Sequence, residues 1–144
     1  MQLIAYLTIP DSVIDIGSYA FYNCINLESI NGGNSVVSIG EYAFYACTDL
    51  THITIPESVN DIEEKAFFNS ELKSIIIPES VKSIEKEAFS YTALTKVVFK
   101  GNIYEENFSD ENSFFGNLRD IYLENGPGTY ILKNWEIVWE YKGK

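Results

Sequence analysis

One histidine, His52, and two cysteines, Cys24 and Cys47, are all that 144 residues offer toward imidazole or thiolate chemistry. Multi-histidine metal centres and zinc-type cysteine clusters are thereby excluded, and two cysteines are too few for a disulfide-stapled secreted scaffold. No apolar run approaches the roughly 20 residues of a membrane-spanning helix. The opening residues lack the basic and long apolar regions of a signal peptide, so none is visible. Positive charge is scarce too: 10 basic residues stand against 21 acidic ones, a net charge of -11. So acidic a surface repels phosphate backbones and anionic headgroups, which disfavours nucleic acid and membranes; it serves solubility first and basic partners or cations second. Glycine-rich phosphate loops and nucleophile elbows are missing as well. The chain therefore reads as a non-enzyme, with no catalytic, cofactor-binding or metal-binding residues assigned.

What is present is apolar and periodic. Hydrophobic residues make up 46% of the chain and aromatics 15%, enough for one β-rich domain over residues 1–144. Ala-Phe recurs at Ala20-Phe21, Ala43-Phe44, Ala66-Phe67 and Ala88-Phe89, in steps of 23, 23 and 22. Ser-Val keeps the same steps at Ser12-Val13, Ser35-Val36, Ser58-Val59 and Ser80-Val81. Ile16, Ile39, Ile62 and Ile84 follow in register, and Leu27, Leu50, Leu72 and Leu94 each open a Leu-x-x-Ile/Val segment. Alternation at Ile53 and Ile55 describes a strand with one buried face. Pro10, Pro56 and Pro78 end such strands, because proline cannot donate to a ladder. Val59 and Ile62 begin a second apolar side, Gly17 and Gly40 permit a bend, and Ala66-Phe67 returns the chain inward. One such coil cannot bury its own apolar side; stacked neighbours can, with equivalent residues in ladders about 4.8 Å apart.

The unit Leu-x-x-Ile-x-Ile-Pro-x-Ser-Val-x-x-Ile-Gly-x-x-Ala-Phe-x-x-Cys resembles the BspA-type leucine-rich repeat. The expected fold is a β-rich leucine-rich-repeat solenoid of about five coils of 22–25 residues, with short strands and short helical turns, over residues 4–123. Residues 124–144 are expected to form a C-terminal β cap. There Gly126-Pro127-Gly128 marks a turn, and residues 130–141 read as two short strands, an arrangement open to pairing as a hairpin. Proteins with similar repeats occur at bacterial and protist surfaces, where they are implicated in adhesion. The resemblance thus implies an extracellular or cell-surface binding protein, with a host or matrix protein as partner.

Irregular positions carry their own expectations. Gly32 and Gly33 replace Ile and Pro, which should weaken the second strand. The period loosens after Phe99 into a polar loop over residues 101–112; Ser113-Phe114 then resumes the Ala-Phe position, and Leu118-x-x-Ile121-x-Leu123 reads as a last core strand. Ile4, Leu7 and Ile9 match strand positions, so the chain opens inside a repeat, as expected if repeats precede it or if exposed coil ends pair in end-to-end self-association. Cys24 and Cys47 hold equivalent positions taken later by Ser70 and Thr92, which suits small buried thiols better than a disulfide. Glu105, Glu106, Asp110 and Glu111 could supply oxygens to calcium, but their spacing is not that of an EF-hand and a solvated loop is the simpler reading.

Strand alternation nominates a binding surface. The third and fifth positions of Leu-x-x-Ile-x-Ile face solvent, placing Ser29, Asn31, His52, Thr54, Ser74, Ile76, Lys96, Val98, Asp120 and Tyr122 on one side. Ile76, Val98 and Tyr122 form an apolar row, a hint of interaction unless the cap or the loop covers it. The contacts expected for a protein partner are His52, Thr54, Ser74, Ile76, Lys96, Val98 and Tyr122. Sugar binding by Trp135 or Trp139 is the alternative, and a structural stalk spacing other domains is another.

Overall fold

The computed structural model describes residues 5–109, 112–133 and 138–144. The chain winds through β1 (Tyr6–Ile9), β2 (Asp15–Ile16), β3 (Ser29–Gly32), β4 (Ser38–Ile39), β5 (His52–Ile53) and β6 (Asp61–Ile62). It continues through β7 (Ser74–Ile77), β8 (Ser83–Ile84) and β9 (Lys96–Phe99), then a 3-10 turn at Glu105–Asn107, α1 (Leu118–Asn125), β10 (Gly128–Leu132) and β11 (Trp139–Tyr141). Odd-numbered strands up to β9 form the front side of a solenoid. The even-numbered β2, β4, β6 and β8 stack in that order as a second, unbroken parallel sheet.

Local chemistry shapes each coil in the same way. After a front strand the carbonyl of Pro10, Pro56 or Pro78 accepts the N–H of the valine three residues on, at 3.1–3.2 Å, which turns the chain into the second sheet. In the second coil Gly33 holds the proline position and its carbonyl receives Val36 N at 2.9 Å. The third side is a turn column in which non-glycine residues take left-handed conformations at Tyr19, Asn23, Tyr42, Ala46, Lys65, Asn69, Glu87 and Tyr91. Such conformations are unfavourable for L residues in isolation. They persist here because they aim alternate N–H groups at the next coil: Tyr19, Phe21 and Asn23 donate to the carbonyls of Glu41, Ala43 and Tyr45 at 2.8–2.9 Å.

Inside, the phenylalanines stand in file. Ring centroids are 5.1 Å apart for Phe21–Phe44, 5.3 Å for Phe44–Phe67, 5.1 Å for Phe67–Phe89 and 4.7 Å for Phe89–Phe114, all stacked. Ile16, Ile39, Ile62 and Ile84 form a second buried column, continued by Phe108 through a parallel bridge to Ile84. The segment after Phe99 therefore follows the solenoid path: Ile103 and Phe108 are buried, and Ser113-Phe114 regains the turn position.

Two strand expectations are corrected. Residues 118–123 form a helix: Leu118 and Tyr122, one helical turn apart, are the buried pair of α1. The place beside β9 goes to β10, which pairs with it antiparallel (Gly128↔Phe99, Tyr130↔Val97) and with β11 (Tyr130↔Tyr141), so a hairpin closes the front sheet. The two glycines do not weaken β3 either, which pairs with β1 along four positions from Tyr6↔Ser29 to Ile9↔Gly32. Gly32 is required there, since at φ +84° any Cβ would strike the Ile9 carbonyl oxygen.

The strand that is short is β5. Between β5 and β7 no ladder forms, and the front side is two sheets, β1-β3-β5 and β7-β9-β10-β11. The spacing of the repeat accounts for this. Phe to Leu is six residues in the first two coils (Phe21 to Leu27, Phe44 to Leu50) and five in the next two (Phe67 to Leu72, Phe89 to Leu94). The first shortened turn delivers β7 on a path that differs from that of β5. Strands that follow turns of equal length still pair, as β7 and β9 do over four residues.

Candidate recognition surface

The break in the front sheet opens a groove of about 370 Å³ between the two half-sheets. Its lining includes Ile53, Ile55 and Ile75, with Pro56 and Pro78 at one end, and it brings together His52, Thr54, Ser74 and Ile76, four of the residues nominated by strand alternation. Ile76 is 52% exposed, and His52, Thr54 and Ser74 are exposed beside it. The Thr51 hydroxyl and His52 Nδ1 lie 2.8 Å apart, tying the imidazole to its own strand. At the far end Lys100 Nζ lies 3.1 Å from Glu57 Oε1 in an exposed ion pair. Such a pair contributes about 0–1 kcal/mol and can open for a ligand.

The remaining nominated residues separate. Lys96 is exposed on β9, outside the groove. Val98 is half-buried, its backbone in register with Thr129 of the hairpin. Tyr122 is not on the sheet: it is 2% exposed, its hydroxyl accepting Ile103 N–H at 2.7 Å and donating to the Gly101 carbonyl at 3.0 Å. Its period-2 spacing from Asp120 matched a strand, yet Leu118 and Tyr122 also sit at helical spacing, and burial of both decided the outcome. The expected apolar row is thus reduced to Ile76 with Val98 at its margin.

Trp139 offers no platform for a sugar. It is 2% exposed and its indole N–H donates to the Phe115 carbonyl at 2.7 Å. Trp135 lies outside the described residues, as do Asp110 and Glu111 of the acidic stretch and Ile4 of the first strand position. Among the described residues no group of three or more His, Cys, Asp or Glu side chains is placed to hold a metal ion. Cys24 and Cys47 are unbonded thiols. The Cys47 thiol donates to the Phe21 carbonyl at 3.1 Å, and burial pushes its pKa up to about 12.

Sequence reasoning passed over the turn side. Tyr19 stacks on Tyr42 at 4.9 Å, and Tyr22, Tyr45 and Phe68 form a parallel column at 5.1 and 4.9 Å that ends at Tyr91. Lys65 occupies the ladder position below Tyr42, its ammonium 5.2 Å from the ring centroid. That ammonium donates to the Tyr42 hydroxyl at 3.1 Å and lies 3.1 Å from Glu64 and 3.2 Å from Glu87. The Tyr42 hydroxyl, then Glu64 and Glu87, hold the Lys65 pKa above its ordinary value. The signal was available in the same register as the phenylalanines: aromatics sit two before and one after each Phe in the first two coils.

A stack of repeated coils with parallel pairing between coils, buried ladders and an open outer surface defines a leucine-rich-repeat solenoid. The chain belongs to the BspA type leucine-rich repeat family, whose profile matches residues 2–120 in six copies. A leucine-rich repeat protein from Bacteroides ovatus is similar at 35% identity and a TM-score of 0.62, over 73% of this chain and 26% of that one. The pneumococcal vaccine antigen PcpA is similar at 29% identity and a TM-score of 0.64, over 68% of this chain and 24% of the antigen. A leucine-rich repeat protein of T. pallidum shares the fold at 24% identity and a TM-score of 0.54, over 67% of this chain and 59% of that one. The chain spans about a quarter of the length of the first two. No curated protein matches it.

Proposed function

We propose that this solenoid is a non-enzymatic recognition module that binds a protein partner through the front side, anchored in the groove between β5 and β7. The observation that carries the reading is the coincidence of an apolar hollow with a sheet break. Ile53, Ile55 and Ile75 are half-buried or buried beneath a polar rim of His52, Thr54 and Ser74, and Ile76 stands exposed at the edge. An apolar anchor ringed by groups that exclude water is the usual organisation of a protein-binding hot spot. The break also leaves facing strand edges without a ladder, so an extended segment can find backbone partners there. Membership of the BspA-type family supports protein binding over catalysis. Similarity to a pneumococcal vaccine antigen is in keeping with display at a cell surface, and a host or matrix protein is the partner that the BspA-type repeat suggests.

Peptides selected from a random library against the folded chain test this. Ile76→Asp combined with Thr54→Arg should weaken the selected peptides at least about tenfold, because a charge must then be desolvated in the groove. The double variant should keep the parent's urea midpoint, since both side chains are exposed. Selected peptides that bind the double variant as tightly as the parent would place recognition elsewhere. A stalk that spaces other domains would then be the better reading.

A further inference from the structure

The turn side carries a second surface of different chemistry. Beside the Tyr19–Tyr42 stack lies a hollow of about 390 Å³ lined by Glu41, Asp61, Glu63, Glu64 and Glu85, with no basic residue among the described residues of its wall. Partial burial in the stack, then the charge of Glu41, raises the Tyr19 phenol above its ordinary value, which sets ring and carboxylate in one field. Within that field the molecule already holds one cation. Lys65 lies against the Tyr42 ring and hydroxyl with carboxylates on two sides.

We propose that this side docks a lysine- or arginine-rich polypeptide segment. Its cationic side chains would take toward Tyr19, Glu41, Asp61 and Glu85 the posture that Lys65 takes toward Tyr42, Glu64 and Glu87. Charge complementarity selects the occupant: a net charge of -11 draws cations from a distance, and the hollow concentrates that field. The shape selects a chain over a lone ion, because the carboxylates line a wall without converging on a common point. The aromatic column from Tyr22 to Tyr91 crosses four coils, roughly 14 Å at sheet spacing, the reach of about four extended residues. Phenol oxygens and ring faces then meet alkyl stems as well as charged heads.

The test titrates fluorescent decapeptides of alternating lysine and alanine, arginine and alanine, and glutamate and alanine into the full chain at physiological salt. Both cationic peptides should bind and the glutamate peptide should not. Glu41→Gln, Asp61→Asn and Glu85→Gln together should weaken the cationic peptides at least tenfold. Asp49→Asn, Glu71→Gln and Glu124→Gln, which remove the same charge outside the hollow, should change them less than twofold. Tyr19→Ala with Tyr91→Ala, both exposed positions, should weaken binding at least threefold under conditions where circular dichroism shows the variant fully folded. Lys65→Gln, which vacates Tyr42, Glu64 and Glu87, should tighten the lysine peptide. Equal losses from the two charge triples, or no loss from the tyrosine pair, would reduce the effect to non-specific attraction and overturn the proposal. Ile76→Asp should leave these affinities unchanged, so failure here and failure of the front-side reading are told apart.

Discussion

Truncating a middle member of the phenylalanine file should cost far more than truncating the first. Phe67 is 0% exposed and stacks on Phe44 at 5.3 Å and Phe89 at 5.1 Å. Phe67→Ala removes a fully buried ring and leaves a cavity, worth about 3–5 kcal/mol. It also breaks two ring pairs at about 0.5–1.5 kcal/mol each, which puts the expected loss near the top of that range, about 5 kcal/mol. Phe21 is only partly buried and has a single ring neighbour in the file, so Phe21→Ala should cost about 1–2 kcal/mol. For a chain of this size the whole stability is roughly 7–20 kcal/mol, so the first change removes a large share and the second a small one. Because each coil contacts only its neighbours, Phe67→Ala also weakens both flanking interfaces and should lower the cooperativity of unfolding. Urea denaturation followed by circular dichroism reads both quantities. If the two variants lost stability within about 1 kcal/mol of each other, the stacked file would not be the spine of the fold.

Tyr122→Phe should destabilise by about 1–3 kcal/mol in the same assay, because the buried Ile103 N–H loses its acceptor; a change below about 0.5 kcal/mol would mean that the tyrosine is solvent-exposed after all. Iodoacetamide at pH 8 should leave Cys47 unmodified in the native state and label it on unfolding, as mass spectrometry of the peptides would reveal. Since burial raises its folded pKa to about 12 from 9.0, the thiol contributes no pH dependence below pH 9 and costs stability progressively from there to about pH 12. A flat alkaline stability curve across that window would contradict the raised value.

The repeat was legible because each ladder position is filled by one residue type in register, from Ile16 to Ile84 and from Phe21 to Phe89. Exposure along the front strands followed from alternation alone, which is why His52, Thr54, Ser74 and Ile76 came out together. What alternation could not supply was competition between periods. Leu118, Ile121 and Tyr122 satisfy a helix as readily as a strand, and the hairpin settles the matter by occupying the place beside β9. Gly32 was misjudged for a related reason. Its missing side chain looked like a loss of packing, whereas the close Ile9 carbonyl requires it. The groove left a trace in the change from six to five residues between Phe and Leu, but a length difference acquires meaning only once strands are known to pair across it.

The turn column gives the solenoid a direction. In this column each coil extends N–H groups toward its successor and carbonyls toward its predecessor, so Ser18, Ala20 and Tyr22 hold in the first coil the carbonyl positions that Glu41, Ala43 and Tyr45 hold in the second. That row is an acceptor comb, matched only by a donor comb. Two coils laid face to face with their carbonyl rows opposed would set oxygen against oxygen in this column. The stack consequently has one polarity along its axis, like a screw thread of a single sense, and a coil turned over in place would lose every bond of this column.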